Sequence, residues 1–468
     1  MPRVARLPSG HRARQVHFGA TAVKVRADVL VENADEVVTL ATGHSLAACA
    51  GTKAEGSRSA GRGRPRTRGA MRDLGIIKHG SVAVLGDRIV AVGEADEVRA
   101  KVNLSPGALV IDATGKVILP GFVDPHTHLV FAGSREHEFI QRSEGRSYLD
   151  ILASGGGILS TVRATRAAPP FELVDLGLKR LDVMLCHGTT TVEIKSGYGL
   201  SLDDELKCLR VVRELSARHP MDVVATFLGA HAVPPEYRGD PDGYTLHIIE
   251  DMIPRVAEQK LAEFCDVFCE EGVFSIDQSR RILEAGRAFG LVPRLHADEM
   301  VPMGGAELAA EVRAVSADHL LFTSSEGMRR MAEAGVTATL LPGTSFALML
   351  GRYADARAFI ESGCAIALAT DFNPGTCPTP SMQFVMNLAA FGMKLHPAEV
   401  ICACTVNAAC ALGRVHEVGS LEVGKLADIV IADVDTHLKL PYQLGTNVVE
   451  KVIKRGHLVV SGGRRITA

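Results

Sequence analysis

The sequence predicts an α/β protein: a (β/α)8 TIM-like barrel inserted into a small β-sandwich formed by both ends of the chain. Two features of the chain carry that expectation. From residue 117 to about 377, short apolar runs of strand composition alternate with loops and helical stretches, eight strands in all. Runs that are largely apolar, rather than apolar on every second residue, belong to a parallel sheet covered by helices. The flanks carry short β-like runs instead, and the last of these are placed to pair with the first.

At 468 residues the chain has room for a barrel and an accessory domain. It is 47% hydrophobic and 22% charged, which suits a large core. The formal net charge of −3 contains no basic excess, so nucleic acid is not an expected partner. No uninterrupted apolar stretch reaches the ~18 residues of a membrane span, and Met1-Pro2-Arg3-Val4 begins no apolar signal core, so no membrane is expected either. Of the ten cysteines, Cys265, Cys269 and Cys364 sit inside apolar runs, and Cys402 and Cys404 lack a second pair at zinc-finger spacing. They read as free thiols in a reducing cytoplasm.

Taken in order, residues 1–20 carry basic groups without a period and read as a loose extension. Residues 21–116 supply the N-terminal part of the small β domain, with β-like runs at 27–31 and 36–40, a hairpin around Gly86-Asp87 and a further strand at 109–113. Within it, residues 42–70 place Arg58, Arg62, Arg64, Arg66 and Arg68 among Gly, Ser and Ala. Such a tract buries little, so it is expected to be a disordered, solvated insertion, with a tether to an anionic surface or nucleic acid as the second reading. Residues 117–415 form the barrel with a helical extension, the strands ending near Pro125, Ile194, Leu228, Cys269, Leu295, Asp318, Leu341 and Thr370. Helices are expected at 202–215, 277–289 and 325–334, the first with an apolar face of Leu206, Leu209, Val212 and Leu215. The extension covers 383–391 and 398–412, and residues 416–468 return to β structure to complete the small domain.

Polar residues gather where those strands end. His126 and His128 are two apart, so in an extended chain both imidazoles point the same way, which suits a divalent metal of borderline softness. Arg135 follows in the same loop. Strand two leads to Lys195 and Tyr198, strand three to His231, strand four to Glu270 and Glu271, strand five to His296 and Glu299, strand six to His319 and strand eight to Asp371. Each alone is weak. Delivered together to one rim of a barrel, they predict a metal-dependent site.

The run Pro120-Gly121-Phe122-Val123-Asp124-Pro125-His126-Thr127-His128, followed in order by His296, His319 and Asp371, resembles the amidohydrolase superfamily, over roughly residues 72–465. Within it, residues 128–136, 194–200, 227–235 and 370–376 are similar to the imidazolonepropionase family. The resemblance implies hydrolysis of the cyclic amide of 4-imidazolone-5-propanoate to N-formimino-L-glutamate, the third step of histidine degradation, by a cytoplasmic homodimer. It implies that His126, His128, His296 and Asp371 hold one Zn2+ or iron ion. Arg135, Tyr198 and His231 are implied as the substrate grip, with Glu299 beside the bound water. Asn373, Gly375 and Thr376 are implied to hold the amino-acid end of substrate or product. His319 joins Glu299 and Asp371 as the catalytic group. Two-metal members of the superfamily carry a bridging lysine at the end of strand four, and residues 267–272 here have none, which favours one metal. The insertion at 42–70 and the extension at 1–20 depart from the family pattern without touching these residues. A different cyclic-amide hydrolase or a ring deaminase would share the ligands but not the set of Arg135, Tyr198 and His231. An inactive binding relative would be expected to lack a ligand, and none is missing.

Overall fold

The computed structural model describes residues 24–41, 64–146 and 156–466. Its smaller body is built on β1 (Val25–Val38), whose two edges are both paired. One edge takes β2 (Ile76–Leu85), antiparallel, which turns at Gly86 into β3 (Arg88–Glu94). The other takes β4 (Val102–Asp112) and then β5 (Val117–Pro120), both parallel. The two β-like runs expected at 27–31 and 36–40 are one strand, interrupted between Val31 and Ala34, where Asn33 takes a left-handed φ of 63°.

Eight strands then form the larger body: β6 (Phe122–Asp124), β7 (Thr189–Lys195), β8 (Asp222–Ala230), β9 (Phe264–Cys269), β10 (Val292–Ala297), β11 (Ser316–His319), β12 (Thr337–Leu340) and β13 (Ile366–Leu368). Each is parallel to its neighbour, and β6 meets β13 through a parallel bridge between Thr127 and Phe372, which closes the barrel. The apolar stretch from Val117 was expected to be a single barrel strand. It is divided at Pro120-Gly121, so β5 stays in the small sheet and only β6 enters the barrel. Gly121 is required there, because a Cβ would run into the side chain of Thr190.

The helices pack outside the barrel as the periodicity predicts. In Leu202–Arg218, Ser201 caps the N-terminus by accepting from the Asp204 N–H, and Leu206, Leu209, Val212 and Leu215 are buried. Leu215 fits against Gly177 of the helix Pro170–Cys186, where a Cβ would lie 2.7 Å from Leu215 Cδ1. The helical extension comprises Met382–Phe391, Pro397–Ala403 and Val406–Ala411.

The chain finally returns to the small sheet as β14 (Ile429–Ala432), β15 (Val449–Lys454), β16 (His457–Ser461) and β17 (Arg464–Arg465). β14 pairs with β5, so both ends of the chain share one nine-stranded mixed sheet. Its core interleaves Val31, Val37, Val82 and Ile118 with Leu421, Ile429, Ile431 and Ile453. Lys454 Nζ joins the two bodies, 2.7 Å from Asp222 Oδ2 at the start of β8 and 2.5 Å from Asp428 Oδ2.

Residues 1–20 and 42–63 lie outside the described residues. The expectation of a tract that buries little does not extend to its remaining part, 64–70. Arg66 is buried there, its guanidinium donating to the carbonyls of Leu40 and Asp73. Its backbone exchanges two hydrogen bonds with the Asn407 side chain, at 2.7 and 2.9 Å. Glycine-rich composition does not show that one of the arginines finds two carbonyls and an amide to bind. No helix among the described residues is long and apolar enough to cross a membrane, and the nine described cysteines are free.

Glu399 joins this N-terminal segment to the barrel helices. It accepts from Arg72 Nε at 3.0 Å and from Arg357 Nη2 at 2.7 Å. Burial raises its pKa, but Arg357, the His396 N–H and Arg72 outweigh burial and hold it down at about 2. A folded-state pKa below the unfolded value stabilises the fold above the unfolded pKa and loses that stabilisation as pH falls. Glu399→Gln is expected to cost about 1–2 kcal/mol at neutral pH, discounted for the half-exposed guanidiniums. Denaturation of both proteins against pH checks this. The difference should shrink below about pH 4.5 and vanish near about pH 2, and a difference independent of pH would sink the assignment.

Candidate metal centre and active site

His126 and His128 follow β6 at the carboxyl end of the barrel, and barrel closure runs between them. The Asp371 N–H donates to the His126 carbonyl at 3.0 Å, and the His128 N–H to the Phe372 carbonyl at 2.9 Å. Asp124 secures the same seam, accepting from the Thr370 hydroxyl at 2.6 Å and the Thr370 N–H at 3.1 Å. Asp371 and His319 hold left-handed φ values of 53° and 75°. Non-glycine residues adopt that conformation at a cost, and it recurs at functional sites.

The imidazoles converge. His128 Nε2 lies 3.3 Å from His126 Nε2 and 3.4 Å from His296 Nε2. Asp371 Oδ1 is 3.5 Å from His126 Nε2 and 3.4 Å from His128 Nε2. His126, His319 and Asp371 also present ligand atoms within 4.8 Å of one another. The far nitrogens are tied to carboxylates: His126 Nδ1 to Asp318 Oδ2 at 2.6 Å, and His296 Nδ1 to Asp266 Oδ1 at 3.0 Å. A carboxylate accepts, so each Nδ1 carries the proton and each Nε2 directs a lone pair inward.

Below them lies a layer of buried charge. Lys195 Nζ donates to Glu193 Oε1 at 2.8 Å and Asp266 Oδ2 at 2.7 Å, and Arg294 Nη2 donates to Asp318 Oδ2 at 3.2 Å. Burial pushes Asp318 up, but Arg294, His126 and Lys195 outweigh it and keep the carboxyl ionised.

These residues fit a cation. Among the described residues, Asp371 Oδ1 is buried without a hydrogen-bond partner. Lone pairs that face one another at hydrogen-bond distance require something positive between them. Glu193, Asp266, Asp318 and Asp371 outnumber Lys195 and Arg294, and the excess of negative charge favours a cation at the cluster: although burial lowers His126, Asp318 and Asp371 hold it up at about 9. Burial, unopposed by enough carboxylate, drives His128 down to about 4, so a proton is a poor substitute there.

A pocket opens over this cluster, lined by His128, Arg135, Tyr198, His231, Glu299 and His319, with Asp371, Asn373 and Thr376 on one side. His231 stacks on His128 at a centroid distance of 4.7 Å and donates through Nδ1 to the Gly197 carbonyl at 3.0 Å, so its Nε2 is the acceptor. Glu299 Oε1 is 3.5 Å from His319 Nδ1. Burial, then the charges of Asp371 and Glu270, push Glu299 up to about 8, which favours its protonated form.

The residues that the resemblance assigns to metal, catalysis and substrate line this pocket or belong to its cluster, except Gly375, which is not among the lining residues. The Asn373 side chain is engaged with its own loop, accepting from the Gly375 and Thr376 N–H groups at 2.9 and 2.7 Å. Arg135 packs on Gly375, where a methyl group would strike the guanidinium. Its Nε and Nη2 donate to Glu138 Oε2 at 2.9 and 2.7 Å. Lys195 is in the buried layer rather than the pocket, and Glu270 and Glu271 do not join the cluster. Sequence reasoning missed Glu138, Asp266 and Thr344, whose hydroxyl donates to Asp371 Oδ2. It used Asp318 only to mark a strand end. A carboxylate inside an apolar strand, as in residues 264–269, was the available signal.

Comparison with known proteins agrees with this geometry. Residues 298–459 match the model of the amidohydrolase family. The chain is 52% identical over 438 residues to an imidazolonepropionase of Symbiobacterium thermophilum, covering 93% of this chain and 98% of that protein. It is 55% identical over 401 residues to one from Geobacillus kaustophilus, covering 86% and 94%. Among solved structures, a zinc-bound adenosine deaminase from Xanthomonas campestris superposes with a TM-score of 0.65 at 18% identity, covering 95% of this chain and 96% of that one. Atrazine chlorohydrolase from Arthrobacter aurescens, complexed with zinc, gives 0.62 at 16%, covering 94% and 97%. At those identities the likeness is one of fold.

Asp318→Asn removes the negative charge that holds the His126 Nδ1–H and leaves only an amide oxygen in its place. Chelator competition is expected to show metal affinity about 10–100-fold weaker. Unchanged affinity in a folded variant would mean that Asp318 serves the buried layer alone.

Proposed function

The chain belongs to the imidazolonepropionase family of amidohydrolases, and on that premise we propose that it hydrolyses the cyclic amide of 4-imidazolone-5-propanoate to N-formimino-L-glutamate in histidine degradation. The observation that carries the proposal is the convergence of three imidazoles and the Asp371 carboxylate beneath a pocket that also holds Arg135, Tyr198 and His231. In this reading His126, His128, His296 and Asp371 hold one Zn2+ or iron ion per subunit of a homodimer. His3Asp suits either ion. When bound, such an ion supplies an acidified water and polarises the ring carbonyl.

The chain's own residues supply binding and proton transfer. The Asp371 carboxylate, with Oδ1 turned to the histidines and Oδ2 accepting from the Thr344 hydroxyl, is the base that takes a proton from the attacking water. Attack makes the ring carbon tetrahedral, and its collapse needs a proton on the departing ring nitrogen. Glu299, whose protonated form is favoured, is the group that supplies it. His319, whose Nδ1 lies 3.5 Å from Glu299 Oε1, is the group assigned to the developing oxyanion. Arg135 binds the substrate carboxylate, while Glu138 fixes the guanidinium from behind. His231 and Tyr198 form the aromatic wall against the ring. The loop from Asn373 to Thr376 takes the amino-acid end.

The direct test mixes metal-analysed protein with freshly made 4-imidazolone-5-propanoate and follows loss of the ring's ultraviolet absorbance. Turnover should vanish with a chelator and return with about one metal per chain. No turnover by folded, fully metallated protein would move the function to another cyclic amide or amidine. Arg135→Ala is expected to raise KM about 10–100-fold, the worth of a charged hydrogen bond, with a smaller effect on kcat. Unchanged KM and kcat/KM would remove Arg135 from the substrate grip.

A further inference from the structure

Glu270 follows the last residue of β9, and it is buried without lining the substrate pocket. Its carboxylate is saturated by backbone donors. Oε2 accepts the N–H groups of Glu299 at 3.1 Å and Met300 at 3.0 Å, and Oε1 accepts those of Val301 and Glu271, both at 3.2 Å. Three of these four donors are consecutive residues of the loop after β10. The far half of that loop is held in the same manner by Asp298, which accepts from the N–H groups of Met303, Gly304, Gly305 and Ala306. The loop is thereby fixed at its start by Glu270 and, where it enters the helix Gly305–Glu311, by Asp298, a charge-assisted arrangement stronger than neutral hydrogen bonds.

We propose that Glu270 is the positioning residue for Glu299. By gathering the amides of residues 299–301 it sets the backbone from which the Glu299 side chain reaches the pocket, where its carboxyl lies 3.5 Å from His319. Glu270 touches no reacting atom and acts through Glu299, chiefly by the place it gives the side chain and in addition by its charge. The inference rests on the proton role proposed above for Glu299. An error of about 1 Å in a proton donor's place can cost on the order of a hundredfold in rate.

Glu270→Gln keeps the size of the side chain but offers one carbonyl oxygen and an NH2 group that cannot accept from N–H donors. The expected result is a kcat about 10–100-fold lower, KM within about twofold, unchanged metal content and faster amide exchange at residues 299–301. A double-mutant cycle separates positioning from general damage. If Glu270 works through Glu299, the Glu270→Gln/Glu299→Gln protein should be no more than about twofold slower than Glu299→Gln. An additive loss, or a full kcat in Glu270→Gln, overturns the proposal. A full rate in Glu299→Gln defeats the proton role itself. Faster exchange in Glu270→Gln with unchanged kcat would then leave Glu270 a loop anchor and likewise overturn the proposal. Should Glu270→Gln fail to fold, Glu270→Asp keeps both oxygens on a shorter stem and is read by the same cycle.

Discussion

The site depends on a layer of charge sealed beneath the histidines. Glu193, Lys195, Asp266, Arg294 and Asp318 are all buried in the barrel interior. Removing five ionised groups from water is costly unless each is paired and hydrogen-bonded. Here each carboxylate meets a cation, and two of them also meet an imidazole. The same carboxylates that neutralise Lys195 and Arg294, Asp266 and Asp318, select the tautomers of His296 and His126. Removing Asp266 or Asp318 would leave an unpaired cation in the core and free a histidine of the cluster together, so stability and the geometry of the cluster are coupled through one network.

Barrel closure brings the remaining ligand. The first and last strands are short, of three residues each, and little sheet hydrogen bonding joins them. The seam is made beyond their ends, by the backbone around His126, His128 and Asp371 and by Asp124 on Thr370. Residues far apart in sequence therefore become neighbours because the cylinder must close. The left-handed conformation of Asp371 turns its carboxylate toward the cluster as the chain leaves β13. The barrel below and the charge-anchored loops above divide the work: the strand ends place the histidines and Asp371 of the cluster, and the loops carry the groups proposed to handle substrate and protons.

Much of this was legible in the chain. The eight strands follow from uniformly apolar runs, because a strand buried on both faces excludes polar side chains. The His126-Thr127-His128 pair follows from the two-residue period of extended backbone. The residues at strand ends could be grouped because all parallel strands of a barrel deliver their C-terminal ends to one mouth. Assignment of Arg135, Tyr198, His231, Glu299 and the 373–376 loop to substrate came from family resemblance, not from any period in the sequence.

What the sequence could not show was pairing at a distance. Nothing local distinguishes Val117–Pro120 from the start of a barrel strand, yet β5 has a partner in β14 more than three hundred residues away. Arg66 lies in a stretch whose composition favours solvent, and only the folded chain supplies the carbonyls and the Asn407 amide that bury it. Glu270 and Glu271 are alike as neighbours in sequence, but one collects four amides and the other faces water. Local pattern determines which elements form and which way their side chains alternate, because it acts over a few residues of backbone. Which charges meet, and so which carboxylate orients a histidine or anchors a loop, is decided only when closure of the barrel removes water from between them.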